Sequence, residues 1–453
     1  MDKEIEKAIN AMYRGILYEK KSKRHRFLID MDFAENIHQK QMKYYNQFYS
    51  IEDNEIMKGV PDKNINMDSY CKDYYERKEV ITSFQIGEIW ENVTQSKHET
   101  ELFHILEKVI DKKLISTISS IEDIEKRFID KKENELNVLI IGAGPNGLFL
   151  ANYMNQLYNQ NYSNFHVNIL VLDNRIASET IRMPYNRNRI FQIGTRYLDI
   201  VLPNIYCKTE RRNNRMDIPI KYLEFLFYLK TFQEEIPLSF TNQYEKWTDI
   251  QKLIKKLNID VLYDSSGGRI DGIHLKPDSQ MIKGIDMKSD KYKFHLDKKN
   301  NLVELKIKGN IDTFLSVDFL GKDSFYVEPI TFDIRNKDDF ELLQKACVPK
   351  KDYLSFIKKI KDKTLQKKCI GLYEKVIKKN SKIEYIVLNS FHIRLYHRLK
   401  VCEQMKYKNQ SFLYIGTGDT IFSSHYIVGA GLNRTIVFSL KTCHLFPMLF
   451  TKY

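Results

Sequence analysis

The stretch NVLIIGAGPNGLFLANYMNQLY, residues 137–158, decides the fold. Its apolar beginning ends in three spaced glycines, Gly142, Gly144 and Gly147, and a helical pattern follows them. Gly142 permits a tight strand-to-helix turn, Gly144 lets the backbone approach a pyrophosphate, and Gly147 lets the helix pack closely on the strand. The amino end of that helix offers unpaired N–H groups and a positive dipole end to phosphate. The stretch therefore predicts a parallel α/β unit that binds a dinucleotide.

A dinucleotide site of this type also needs an acid at the end of the second strand, where it accepts hydrogen bonds from a ribose. The run VNILVLD supplies Asp173, with Asn174 and Arg175 directly after it. Asp173 follows Gly147 by 26 residues, against a usual spacing of about 20. The polar loop NQNYSNFH accounts for the extra length. An Asp that only caps a turn remains the alternative interpretation.

A second glycine motif lies nearly 300 residues downstream. The segment GDTIFSSHYIVGAGLNRT, residues 418–435, follows the strand-like run SFLYIGT. It resembles the second FAD-binding fingerprint of the flavoprotein monooxygenases of the aromatic-hydroxylase type. The resemblance implies that Asp419, after Gly418, holds ribityl or ribose hydroxyls. It also implies that Gly429, Gly431 and Asn433 aim the amino end of a helix at the flavin pyrimidine.

Two further landmarks of that family are altered in this chain. In the helix of MDIPIKYLEFLFYLKTF, Lys221 stands where the family has an Arg, so a bidentate contact becomes a point charge. Where the family has Asp-Gly, this chain has Ser265-Ser266-Gly267-Gly268-Arg269, and the acid is displaced or lost. The change bears directly on NADPH use, because the family motif contacts both FAD and NADPH.

The residues and the resemblance together define the candidate site. The candidate cofactor-binding residues are Gly142, Gly144, Pro145, Asn146, Gly147, Asp173, Asn174, Arg175, Arg189, Lys221, Gly418, Asp419, Gly429, Gly431, Leu432 and Asn433. The candidate catalytic residues are His425 and Tyr426, which stand where the family has a Pro beside the flavin. His425 would bond flavin or substrate or move a proton, and an ordinary loop histidine fits equally well. No metal site is expected.

Composition limits the remaining function classes. Lys and Arg outnumber Asp and Glu by 72 to 59, a formal charge of +13, but the surplus is dispersed, which argues against nucleic-acid binding. The six cysteines are scattered without a CxxC, which is typical of a reducing compartment. The amino terminus lacks the apolar core of a signal peptide, and the apolar runs are short for a transmembrane helix. We expect a soluble, cytoplasmic protein.

The chain divides into four predicted segments. Residues 1–132 are predicted to form a helical domain whose apolar faces are buried on one another, on the following domain or on a partner protein. Residues 133–285 and 386–453 are predicted to form the two parts of a Rossmann-like FAD-binding domain of the GR2 type. Residues 286–385 are predicted to form an antiparallel β-sheet substrate domain with a helical segment at 350–379. The predicted fold class is thus α/β with an added helical domain.

The resemblance covers residues 137 to about 445, and with its helical leader the chain is most similar to the monooxygenase domain of the MICAL proteins. It implies an FAD-dependent oxidoreductase, namely an NAD(P)H-dependent monooxygenase on an unidentified substrate. In such enzymes the flavin carries the chemistry, while the protein supplies positioning and exclusion of water. Two alternatives stay open. One is an FAD-binding interaction or structural protein that has lost catalysis, and the other is an FAD-dependent dehydrogenase or reductase.

Overall fold

The computed structural model describes residues 3–17, 79–114, 121–161, 164–174, 190–203, 205, 211–212, 215–241, 243–270, 272–275, 292–297, 301–307, 313–321, 330–344, 346–381, 383–392, 395–423 and 430–447. Within these ranges no helix is long and apolar enough to cross a lipid bilayer.

The helices and strands follow one another in an order that changes character near residue 135. The helices are α1 (Lys3–Leu17), α2 (Ser83–Gln95), α3 (Glu99–Lys112), α4 (Ile121–Ile129), α5 (Pro145–Met154), α6 (Thr195–Val201), α7 (Ile220–Gln233), α8 (Trp247–Lys256), α9 (Lys337–Leu342), α10 (Tyr353–Ile357), α11 (Lys363–Leu372) and α12 (Ala430–Cys443). The strands are β1 (Glu79–Val80), β2 (Lys113–Leu114), β3 (Glu135–Ile141), β4 (His166–Asp173), β5 (Ile190–Gly194), β6 (Arg211–Arg212), β7 (Arg215–Pro219), β8 (Leu238–Phe240), β9 (Val261–Asp264), β10 (Tyr292–Asp297), β11 (Leu302–Ile307), β12 (Thr313–Gly321), β13 (Ile330–Asp333), β14 (Ala346–Pro349), β15 (Ile383–His392), β16 (Leu395–Arg398), β17 (Cys402–Tyr407), β18 (Gln410–Gly416) and β19 (Phe422–Ser423). Turns of π-helix at Asn155–Gln160 and Tyr373–Ile377 extend α5 and α11.

A six-stranded sheet forms the centre of the molecule, in the order β17–β18–β9–β3–β4–β8. All neighbours in it are parallel except β17, which pairs antiparallel with β18 at one edge. The chain leaves β3 through α5 and returns as β4 on one side, whereas β9 joins β3 on the other side much later. In an open parallel sheet, such a change of direction leaves a crevice at the carboxyl ends of the strands. The α/β class predicted from the sequence is confirmed.

Helices cover both faces of this sheet, because its central strands are apolar on both sides. Val138 and Ile140 of β3 belong to a core that includes apolar residues of α1, α2, α3, α5, α7 and α12. Leu139 and Ile141 belong to the core on the opposite face, with residues of α4 and α8. β3 therefore lies buried between two helical layers, with its carboxyl end fixed from both sides.

The segment 1–132 is called the leader below. Its described residues form the helices α1 to α4 and the two-residue strands β1 and β2. Ile5 of α1, Ile86 of α2 and Leu102 of α3 are buried in the same core as the sheet. These three helices thus share a core with the α/β unit. The prediction of helices between residues 18 and 78 lies outside the described residues.

The strands of the middle segment form two antiparallel sheets, where the sequence analysis suggested one. One sheet has the order β10–β11–β16–β19, and the other has the order β13–β12–β15–β14. The second sheet packs with α10 and α11 around its own apolar core, and the helical prediction for 350–379 is confirmed. The first sheet takes strands from both sides of residue 385, because strand-forming sequence does not specify which strands pair.

Candidate functional site

Three turns that are far apart in sequence meet at the carboxyl edge of the central sheet. β3, β9 and β18 end in register, since Ile141 pairs with Asp264, and Asp264 with Gly416. The turns that follow them comprise residues 142–147, 265–269 and 417–420. The sheet register therefore brings together the glycine segments that the sequence analysis singled out.

In the 142–147 turn, two of the three glycines are required by the turn itself. Gly142 has φ +107°, and a β-carbon on it would lie 2.4 Å from the Ser265 carbonyl oxygen. A β-carbon on Gly147 would lie 1.9 Å from the Gly142 carbonyl oxygen. Gly144 differs, because the nearest described atom to its β-carbon position is 3.8 Å away. The space beside Gly144 suits a ligand that approaches the backbone closely.

α5 begins within this turn, with Gly144 as its N-cap and Pro145 in its first turn. Gly144 has no side chain with which to cap this helix end. Proline is favoured there because its missing N–H would be unpaired in any case. The first turn of α5 thus supplies backbone N–H groups and a dipole end suited to an anion.

Asp173 anchors the 142–147 turn from the neighbouring strand. Its carboxylate accepts a hydrogen bond of 2.6 Å from the Ala143 N–H, and it is 8% exposed at the end of β4. The adjacent Asn174 donates to Glu245 at 2.7 Å. Asp173 is therefore held beside the glycine turn, where an acid of a dinucleotide site would meet a ribose.

The acid missing from the 265–269 turn stands just before it, as Asp264. Its buried carboxylate accepts hydrogen bonds from the Ser266 N–H at 3.0 Å, the Thr420 hydroxyl at 3.1 Å and the Tyr414 hydroxyl at 2.8 Å. Burial first, and then the Asp264 charge, raises the pKa of Tyr414 well above its ordinary value, which keeps the phenol protonated as a donor. The acid is thus displaced, and its bonds hold the 265–269 and 417–420 turns together.

The 417–420 turn packs directly on the 265–269 turn. The Thr420 hydroxyl accepts hydrogen bonds from the N–H groups of Gly267 at 3.0 Å and Gly268 at 3.1 Å. A β-carbon on Gly267 would lie 3.8 Å from the β-carbon of Asp419. Gly418 adopts φ +61°, and Asp419 is exposed on the surface of the turn. An exposed carboxylate so placed can accept hydrogen bonds from ligand hydroxyls.

Asn146 links the same turns from inside the protein. Its amide nitrogen donates to the Thr417 hydroxyl at 2.9 Å and the Ser265 hydroxyl at 3.3 Å, and its amide oxygen accepts from Ser439 at 3.3 Å. The side chain is 5% exposed. The Asn146 side chain therefore holds the three turns together, and any contact with a cofactor would come from its backbone.

In the structure, Lys221 is bound by a carboxylate of α3. Its ammonium lies 2.6 Å from the Glu107 carboxylate of α3, which also accepts a hydrogen bond from the Tyr222 hydroxyl. The residue is 5% exposed. A phosphate contact by Lys221 would thus compete with a carboxylate that is already bonded to it.

One helical turn beyond Lys221, Glu224 is a site residue that the sequence analysis missed. Its carboxylate is 2% exposed, and its Oε1 atom is the one that lies 3.8 Å from the β-carbon position of Gly144. The spacing of three residues from Lys221 was the available signal, because residues i and i+3 share a helix face. Glu224 brings a carboxyl group to the edge of the proposed phosphate position.

The motif at the start of α12 is described only in part. Asn433 accepts a hydrogen bond of 3.1 Å from the Gly194 N–H, Gly431 is buried, and Leu432 packs against the core. These contacts fix the amino end of α12 against β5. The candidates Arg175, Arg189, His425, Tyr426 and Gly429 lie outside the described residues.

The described residues contain no group of three or more His, Cys, Asp or Glu side chains suited to a metal ion. His397 of β16 is the last described histidine before the 417–420 turn in the sequence. Burial lowers the pKa of His397 to about 4, so this imidazole is neutral at pH 7 and belongs to the core.

No protein-family model matches the chain, and no curated protein shows significant sequence similarity to it. Solved structures that show similarity to the chain include the following three. CtdE, solved with FAD and a substrate, is 10% identical, with alignment over 66% of this chain and 78% of its own and a TM-score of 0.34. The tetracycline destructase Tet(51) is 12% identical, over 69% and 82%, with a TM-score of 0.35. The p-nitrophenol 4-monooxygenase PnpA from Pseudomonas putida DLL-E4 is 9% identical, over 70% and 81%, with a TM-score of 0.37.

Proposed function

We propose that the chain is an FAD-dependent oxidoreductase that acts as an NAD(P)H-dependent monooxygenase. The observation that supports this most is the meeting of the 142–147, 265–269 and 417–420 turns at the carboxyl edge of one parallel sheet. Ligands of open α/β sheets bind at this edge, at the change of strand order. The GR2-type Rossmann domain and the MICAL-like subtype, which rests on the helical leader, belong to the same proposal.

The residues present fit the cofactor at several points. The open space at Gly144 and the glycine N-cap of α5 suit a pyrophosphate. In this proposal Asp173 would bind the adenosine ribose and Asp419 would bind hydroxyls of the flavin side chain. When bound, FAD would supply the redox chemistry, by accepting hydride from NAD(P)H and transferring electrons to dioxygen.

The protein's own contribution would be binding, orientation and exclusion of water. Asp264, Thr420 and Asn146 hold the three turns in fixed relative positions through buried hydrogen bonds. Such rigidity limits the reorganisation needed when charge develops on a bound group. We propose His425 and Tyr426, which lie in the sequence between Asp419 and Gly431, as the groups nearest the reacting centre. The four described cysteines that carry free thiols are compatible with the proposed reducing, cytoplasmic location.

A second function, FAD binding without turnover, is favoured by one observation. Lys221 is bonded to Glu107 of the leader, and Glu224 brings a carboxyl group close to Gly144. Both features depart from a site built for strong phosphate binding. They suit a protein whose cofactor has a structural role.

Absorption spectra of the purified protein, before and after incubation with FAD, separate these functions from a protein that binds no flavin. We expect a flavin spectrum in the wild type and its loss in Gly144→Ala. NADPH and NADH are then supplied anaerobically, and the bleaching of the flavin is followed. Rapid bleaching by either donor supports an FAD-dependent oxidoreductase. Oxygen consumption that exceeds the hydrogen peroxide released, when a candidate substrate is present, supports the monooxygenase. Flavin that stays oxidised supports the structural role, and a colourless protein that takes up no FAD contradicts both.

The proposed catalytic residues have their own test. His425→Ala should lower the rate of turnover about a hundredfold or more, the low end for a lost general acid or base, while the FAD dissociation constant stays within twofold. An unchanged rate would show that His425 has no catalytic role.

A further inference from the structure

Three polar residues of α1 lie on one helix face and bond to the backbone near the 417–420 turn. Glu6, Asn10 and Tyr13 have spacings of four and three, so they follow one another along the same side of the helix. Glu6 accepts a hydrogen bond of 2.9 Å from the Gln404 N–H and forms an ion pair of 2.8 Å with Lys400. The polar face of α1 is therefore used for docking to the body of the protein.

Asn10 forms hydrogen bonds with the backbone at the start of β17, the edge strand of the central sheet. Its amide nitrogen donates to the Cys402 carbonyl at 2.8 Å, and its amide oxygen accepts from the Val401 N–H at 3.0 Å. The residue is 6% exposed. One buried amide thus satisfies a backbone acceptor and a backbone donor, as a neighbouring strand would, which fixes the register of α1 on the sheet.

Tyr13 reaches the turn that carries Asp419. Its hydroxyl donates to the Ile421 carbonyl at 2.8 Å, and the side chain is 2% exposed. The N–H of the same Ile421 donates to the Gly418 carbonyl at 3.2 Å, which closes the turn around Asp419. Tyr13 therefore holds the residue at which this turn ends.

The ring of Tyr13 also contacts α12. Its centroid lies 5.7 Å from that of Phe438, edge to face at 66°. α12 carries Gly431 and Asn433 in its first turn. One side chain of the leader thus touches both elements that carry the second glycine motif, the turn with Asp419 and the helix that begins at Ala430.

We propose that α1 is part of the cofactor site and that Tyr13 is a positioning residue for Asp419 and for α12, the helix that carries Gly431 and Asn433. The inference rests on the proposed function, because the ligand that these elements position is FAD. Loss of the Tyr13 hydroxyl should allow the 417–420 turn to move relative to α12. Ligand hydroxyls and the flavin ring would then lose their fixed relation to the two elements.

The matched control is Tyr158, in the π-helical extension of α5. It is also buried, and its hydroxyl donates at 2.6 Å to the carbonyl of Cys443, the last residue of α12. Each carbonyl keeps a second donor when the tyrosine is lost, the Arg398 N–H for Ile421 at 2.8 Å and the Phe446 N–H for Cys443 at 3.0 Å. Tyr13→Phe and Tyr158→Phe therefore remove the same kind of bond at two different places.

The test compares both variants in the full chain with FAD. We expect Tyr13→Phe to raise the FAD dissociation constant about fivefold, the effect of one ordinary hydrogen bond, and to shift the flavin midpoint potential. Tyr158→Phe should leave the FAD dissociation constant within twofold and the flavin potential unchanged. Urea unfolding of the two variants without FAD should nevertheless show similar losses of stability. Equal constants and potentials for the two variants would overturn the inference alone. A wild-type protein that takes up no FAD would overturn the proposed function, and this inference with it.

Discussion

The carbonyl oxygen of Ser265 lies 2.4 Å from the position that a β-carbon would take on Gly142. Two turns that are more than 120 residues apart in sequence are therefore packed so closely that only glycine fits between them. Hydrogen bonds explain the closeness, since the Ser265 N–H donates to the Ile141 carbonyl at 2.8 Å and continues the ladder between β3 and β9 one residue past the end of β9. The structure of the sheet therefore requires this tight turn, independently of the proposed ligand.

The glycines of the 142–147 turn should consequently divide into two kinds. Gly142→Ala introduces a clash and a positive φ, and it should cost at least about 2 kcal/mol of folding free energy. Gly144→Ala should fold normally, because its β-carbon meets nothing closer than 3.8 Å, yet weaken FAD binding at least about tenfold through contact with the pyrophosphate. Urea unfolding and FAD titration of each variant measure the two effects.

Gly371 of α11 provides the control for the substitution itself. Nothing lies within 4 Å of its β-carbon position. Gly371→Ala should therefore stabilise the protein by roughly 0.5–1 kcal/mol through helix propensity and leave FAD binding unchanged. If Gly144→Ala binds FAD as tightly as Gly371→Ala does, the pyrophosphate does not lie at the 142–147 turn.

The Asp419 side chain should contribute to FAD binding. It is exposed, and in the proposed site its carboxylate makes charge-assisted hydrogen bonds worth roughly 1.5–3 kcal/mol with ligand hydroxyls. Asp419→Ala should therefore weaken FAD binding about tenfold or more, and urea unfolding checks that the variant is folded. Asp352→Ala removes an exposed carboxylate beside the separate core of the second antiparallel sheet and should leave FAD binding unchanged. Equal FAD affinity in both variants would show that the second glycine motif has been misinterpreted.

The sequence predicted the three turns because their residues obey local rules. Spaced glycines after an apolar run specify a tight turn wherever they occur, and Asp173 follows from the end of the second strand. The glycine pattern also predicts which elements carry the site. The positions of Gly142, Asp173, Gly267 and Asp419 at one sheet edge follow from these local rules together with parallel pairing.

The contacts that the sequence analysis missed join residues without a local relation. Lys221 pairs with Glu107, and Asn10 bonds to Cys402, across 114 and 392 positions of the chain. No periodicity or motif links such partners, since their proximity results from how helices pack on the sheet. Asp264 stands between features that the sequence predicts and contacts that it does not. The acid is evident in the sequence, but only its hydrogen bonds to Thr420 and Tyr414 show its role.

Glu224 provides a test of electrostatics at the proposed phosphate position. A buried carboxylate close to Gly144 repels a pyrophosphate, and burial weakens the screening of that repulsion by water and salt. Glu224→Gln keeps the shape of the side chain and should tighten FAD binding severalfold, at both low and high salt. Glu234→Gln, at the carboxyl end of the same helix, where Glu234 pairs with Lys230, should leave the affinity unchanged. Weaker binding in Glu224→Gln would mean that the carboxylate accepts hydrogen bonds on which the site depends.

His397 should make the stability of the protein depend on pH in mildly acidic solution. Burial lowers the pKa of this imidazole from 6.5 to about 4 in the folded protein. As the pH falls, the unfolded chain therefore binds the proton first, so the contribution of neutral His397 is fully present above about pH 6.5 and is lost progressively toward pH 4. Between pH 7.5 and pH 5 this loss amounts to about 2 kcal/mol of the free energy of unfolding.

The variant His397→Phe should remove that part of the pH dependence. Urea unfolding at pH 7.5 and pH 5 gives the difference for each protein, and the difference should be about 2 kcal/mol smaller in His397→Phe than in the wild type. His295→Phe is the control, because His295 lies exposed on β10 of the same antiparallel sheet. Its pH dependence should match that of the wild type, since replacing an exposed side chain leaves the buried His397 in place. An identical difference in His397→Phe and the wild type would show that this imidazole is already accessible to protons in the folded state.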